Sequence, residues 1–86
     1  MKTKLKILNA GLYLWPEITL ENVAKAASIT HPAILYHFPQ GSLKDAIAEH
    51  AVHTGHSRII VQLLGSGHKA VEKLSPADRI KHFNAV

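Results

Sequence analysis

Three observations predict an all-α fold for this chain of 86 residues. Apolar residues recur at helical spacing near the N-terminus. Hydroxyl side chains stand where helices would begin. The one strand-like stretch, Arg58 to Leu64, has no partner strand elsewhere with which to pair.

The first helix runs from Lys2 to Trp15, with Leu5, Leu8, Leu12 and Trp15 at spacings of 3, 4 and 3 along its inward stripe. Pro16 ends it, because proline lacks the donor that a continuing helix needs. Thr19 caps a second helix whose inward stripe is Leu20, Val23, Ala24 and Ala27. Ser28-Ile29 form a short turn. Thr30 caps a third helix, with His31-Pro32 in the first turn, where proline costs little. Pro39-Gln40-Gly41 break the chain again. Ser42 opens a fourth helix with Leu43, Ala46, Ile47, His50 and Ala51 on one side; it is expected to continue to Leu64 despite Gly55. Gly65-Ser66-Gly67 read as a loop. Ser75-Pro76-Ala77-Asp78 start a last, short helix towards Val86: a capping hydroxyl, a proline at the first position, and an acid near the positive dipole end.

Composition narrows the function classes. The chain is 47% hydrophobic and 19% charged, which argues against disorder. It suits a single domain, one so small that a partner subunit would add stability. With no cysteine, disulfides, cysteine zinc sites and thiol catalysis are excluded. Lys2, Lys4 and Lys6 before an apolar run imitate a signal peptide, but Asn9 interrupts the run and no small-x-small cleavage site follows. The run also falls short of the roughly 20 residues that span a bilayer. A cytoplasmic protein without membrane contact is expected. The net charge of +4 is compatible with phosphate contact.

Two short helices joined by a tight turn outline a helix-turn-helix, whose second helix lies in the DNA major groove. On a helical wheel Ile34 and Phe38 share one side, with His37 at its margin. His31, Pro32, Leu35 and Tyr36 look the other way, and Ala33 sits between. Read together, Ile7-Leu8-Asn9-Ala10 through Leu14-Trp15, then Thr19, Val23-Ala24, Ala26-Ala27-Ser28-Ile29-Thr30 and Ile34-Leu35-Tyr36-His37-Phe38 resemble the DNA-binding domain of the tetracycline-repressor family. The resemblance covers roughly residues 5 to 51, and a weaker one spans Ser75 to Phe83.

That resemblance implies a three-helix DNA-binding head over residues 1–41. Residues 42–86 then supply a connecting helix and a helical tail, forming one structural unit with the head and serving as its oligomerisation surface. It also implies a homodimer reading a palindromic operator in double-stranded DNA, as a repressor of transcription. Thr19 matches the residue that opens helix two and touches phosphate, Thr30 the cap of the recognition helix, and His31 and Ala33 the positions that face bases. His37 matches a phosphate-contacting histidine, and Phe38 a core aromatic. Leu35 stands where the family has a tyrosine, with Tyr36 beside it. Gly41 stands where a basic residue opens helix four, leaving Lys44 as its substitute. Lys2, Lys4 and Lys6 would form a basic arm. The link at Pro16-Glu17-Ile18 is shorter than the family's. The large effector-binding domain has no counterpart, so neither a cofactor nor a small-molecule effector is expected.

Between Thr19 and Gly41 one base, Lys25, meets one acid, Glu21, so affinity must come from flanking lysines and from histidines that take up protons near neutrality. His50, His53 and His56 are spaced by threes, but His56 rotates away from the other two on a helix and no cysteine supports a zinc site. His50 reads as a core or subunit contact, and Trp15 as a core anchor. Lys69, Lys73, Arg79 and Lys81 read as exposed decoration. Asp45, Glu49 and His53 share a face but have no nucleophile beside them, so no enzyme is expected. Ile59, Ile60, Val61 and Leu64 present more apolar surface than the remaining chain can cover, which predicts self-association. The alternative is a helical module that binds another regulator rather than DNA. A further possibility is a piece of a longer regulator.

Overall fold

The computed structural model describes residues 2–39 and 41–86. Among the described residues the regular structure is six α-helices, α1 (Lys2–Leu14), α2 (Leu20–Ala27), α3 (His31–His37), α4 (Leu43–Thr54), α5 (Ser57–Ser66) and α6 (Pro76–Asn84), with a 3₁₀ turn at Lys69–Val71. Among the described residues there is no strand, and no helix is long and apolar enough to cross a membrane. The chain forms two compact units, residues 1–47 and 48–86, dividing inside α4.

In the first unit, local chemistry sets the helix ends. Thr19 is extended and its Oγ accepts the Asn22 N–H at 3.0 Å; Thr30 does the same for Ala33 at 3.3 Å. The α2–α3 turn closes on Ser28, whose φ of 55° lies in the left-handed region where the N–H groups of Ser28 and Ile29 return to carbonyls of α2. The Ser42 hydroxyl donates to the Pro39 carbonyl at 2.7 Å and ties the α3–α4 link. The core comprises Ile7, Val23, Ala24, Ile34, Phe38, Leu43 and Ile47.

The α1 face differs from the expected stripe. Leu5 is 49% exposed, whereas Ile7 is fully buried and Gly11, one turn on, is buried with it. Gly11 is there because of space: a Cβ built on it would come within 2.6 Å of Ile47 Cγ1. Leu8, Leu12 and Trp15 of the expected stripe do pack, half-buried, against the core, so only Leu5 departs from it, while the closest approach is made by a residue with no side chain.

The second unit also corrects the reading. Helix four does not continue to Leu64: it ends at Thr54, Gly55 takes a φ of +75°, and α5 starts afresh at Ser57. Gly65 and Ser66 belong to α5, which Gly67 closes with φ +70°. Ile59, Ile60 and Leu63 are buried, so Ile59 and Ile60 are not surplus surface, while Val61 and Leu64 are half-buried. α5 packs against α6 and the 3₁₀ turn.

Arg79 is no surface decoration. Its Nε donates to the Leu74 carbonyl at 3.1 Å, and Nη2 to those of Val71 and Glu72 at 3.4 and 3.3 Å, so one guanidinium ties the chain before α6 to that helix. A charged donor to carbonyls contributes about 1.5–3 kcal/mol per bond at most, less where water competes. We expect Arg79→Ala to destabilise residues 48–86 by about 1–3 kcal/mol. Arg79→Lys should recover little, because an ammonium cannot present the forked donors. Hydrogen exchange at the Ile60 and Leu63 amides reads this; unchanged protection would reduce the three bonds to incidental contacts.

Candidate nucleic-acid interface

α3 divides its side chains sharply. Ile34 is fully buried and Phe38, at its C-cap, is 4% exposed, so these two fix the helix against the core. His31, Pro32, Leu35 and Tyr36 are exposed, Tyr36 to 84%, while Ala33 and His37 are half-buried. The His37 ring meets Tyr36 edge-on, centroids 5.2 Å apart at 84°, which orients both at the C-terminal end of the face. Pro32 stands among the outward residues without a role assigned from sequence. Its exposure at the first turn was the available signal.

Lys4 Nζ lies 5.6 Å from the Phe38 centroid and Lys44 Nζ 5.6 Å from that of Trp15, so two α1 and α4 lysines rest on aromatic rings of the same unit. Neither position was predictable from spacing, because both depend on helices meeting in space. Lys6 is exposed; the side chain of Lys2 lies outside the described residues. Lys25 is turned towards Glu21, 3.9 Å away, in an exposed pair one helical turn apart. Both capping threonines, Thr19 and Thr30, are exposed, and each uses its oxygen as acceptor, leaving the hydroxyl hydrogen to donate outward.

The histidines of the second unit form no metal cluster: no group of three possible ligands comes together among the described residues. Thr54 Oγ1 and His56 Nδ1 are 2.7 Å apart across the α4–α5 break, and Ser57 Oγ and His82 Nδ1 share a bond of the same length. Burial holds the His50 pKa below its usual value, helped by the charges of His56 and His53. A histidine that resists protonation in the fold takes up its proton more readily when unfolded. Stability is therefore fully present above the unfolded pKa near 6.5 and declines as pH falls towards the lower folded value. We expect residues 48–86 to lose stability between pH 7 and 5, with a shallower slope in His50→Asn. Urea unfolding followed by amide NMR at several pH values checks this, and an unchanged slope in the variant would remove His50 as its source.

Comparison of the chain with family models, with curated proteins and with solved structures returned no match.

Proposed function

We propose that the chain is a DNA-binding transcriptional regulator of the tetracycline-repressor kind, a repressor that acts in the cytoplasm by occupying an operator. In this reading α1–α3 are a helix-turn-helix head and α3 enters the major groove. The observation that carries it is the divided surface of α3: Ile34 and Phe38 hold the helix from behind, while His31, Leu35 and Tyr36 face outward. A helix backed in this way has the width of the groove and presents its outer edge to the bases. Thr19, Thr30, His37, Lys4 and Lys44 then hold phosphates and set the register. The dimer places two heads on a palindrome, and the exposed Ile80 and Phe83 of α6 are the apolar positions that it would cover.

Binding to random duplex DNA, followed at several salt concentrations, tests the proposal. Salt-dependent binding is expected, and none at low salt would end it. His31→Ala should relax base preference, costing about 1–3 kcal/mol at the preferred base. Lys44→Ala should weaken all sequences alike and reduce the salt slope by about 1. Equal loss of discrimination in both variants would contradict the placement of α3. A second reading, a helical module docking another regulator, draws on α6, where Ile80 is 61% and Phe83 51% exposed. Failure to shift any duplex would favour it.

A further inference from the structure

In the second unit an open cleft of about 330 Å³ lies between the C-terminal half of α4 and the chain around the 3₁₀ turn. Glu49, Val52 and His53 line one wall; Lys69, Ala70 and Lys73 line the other. Sites for small molecules occupy roughly 300–1,000 Å³, so the cleft is of that kind. Glu49, His53, Lys69 and Lys73 are exposed, whereas Val52 and Ala70 are half-buried, so polar groups surround a small apolar patch. The lysine wall is fixed from behind. Val71 is buried, His68 Nδ1 accepts the Ala70 N–H at 3.0 Å, and the Arg79 guanidinium holds the carbonyls of Val71, Glu72 and Leu74. A backbone tied in this way sets Lys69 and Lys73 before a ligand arrives, which lowers the ordering cost of binding.

We propose that this cleft binds a small hydroxylated phosphomonoester, a sugar phosphate in chemical class, with Lys69 and Lys73 on the phosphate and Glu49 and His53 on the hydroxyls. Two ammonium groups four residues apart suit a phosphomonoester, which carries about −1.5 to −2 charge at pH 7, better than a singly charged carboxylate. The Glu49 carboxylate only accepts, so it repels the phosphate and calls for donors at the other end of the ligand. Hydroxyls supply them, and the His53 ring nitrogens serve the same end. A metal ion is disfavoured, because two ammonium groups stand against one carboxylate. Among the described lining residues there is no phenylalanine, tyrosine or tryptophan on which a nucleobase would stack, which favours a sugar phosphate over a nucleotide. All six lining residues belong to residues 48–86, so this reading needs no role for α3.

Titration of the full chain with glucose 6-phosphate, followed by amide NMR, tests this. The Val52, His53, Ala70 and Lys73 amides should shift together along one binding curve. Glucose and inorganic phosphate should each bind at least about fivefold more weakly, since each lacks half of the contacts. Lys73→Ala, checked for retained helicity, should weaken the sugar phosphate about five- to tenfold. Lys81→Ala removes the same charge from an exposed α6 residue that does not line the cleft, and should leave affinity within about twofold. Glu49→Gln should narrow the preference for the sugar phosphate over inorganic phosphate. Equal losses in Lys73→Ala and Lys81→Ala would reduce binding to general charge attraction and overturn the site. Glucose or inorganic phosphate binding as tightly as the sugar phosphate would overturn the ligand class. Displacement of the sugar phosphate by a short DNA duplex would assign the cleft to nucleic acid and overturn the proposal too. No shift at any lining amide would end it while leaving the DNA-binding reading untouched.

Discussion

Gly11→Val is expected to unfold residues 1–47. Ile47 is fully buried, and a Cβ at position 11 would lie 2.6 Å from its Cγ1 and 3.0 Å from its Cγ2. Alanine at an open helical site would gain about 1 kcal/mol over glycine. Here the clash opposes that gain, since overpacking costs about 1–3 kcal/mol and valine brings two further methyls. A unit of this length has roughly 2–7 kcal/mol of stability in all. Trp15, the sole tryptophan, lies in the same unit, so its fluorescence in urea reports the loss directly. Pairing Gly11→Ala with Ile47→Ala should destabilise by less than the sum of the two single changes, because each makes room for the other. Strict additivity would show that the approach of α1 to Ile47 is not what requires glycine.

The second large effect contrasts two aromatics two residues apart. Phe38→Ala should cost about 3–5 kcal/mol, the usual range for an emptied aromatic core site. Phe38 is 4% exposed among Ile7, Val23 and Ile34, and its ring also supports Lys4. Tyr36, 84% exposed, should change stability by no more than about 0.5 kcal/mol when replaced by alanine. The proposed function adds a second axis: Tyr36→Ala weakens DNA binding in a folded chain, whereas Phe38→Ala loses binding because it loses the fold. Similar unfolding midpoints for both variants would mean that α3 is rotated from the position described.

Legibility in the sequence followed the range of the interaction. Thr19, Thr30 and Ser75 act within three residues of themselves, so their roles as caps can be read directly from the letters. The inner side of α3 was equally plain, since Ile34 and Phe38 are four apart and so share one side of the helix. Three features escaped. The α1 face turns on Gly11, which carries no weight in a count of apolar side chains. The break at Gly55 looked like a weak point in a long helix, because whether a glycine interrupts a helix depends on what lies downstream to pack against. Arg79 resembles any surface arginine until the carbonyls of Val71, Glu72 and Leu74 are brought to it. For the candidate interface, the outward residues of α3 were legible, while the seats of Lys4 and Lys44 on aromatic rings were not.

The left-handed backbone at Ser28 has a consequence for how the chain can vary. Position 28 is open to water and tolerates almost any polarity, yet its backbone excludes almost any branched side chain. Drift there should be confined to glycine, asparagine, aspartate and serine, while the solvent-facing neighbours Lys25 and Ala26 roam freely. A library randomised at these three sites and sorted for folded chains would show two permissive columns beside a narrow one.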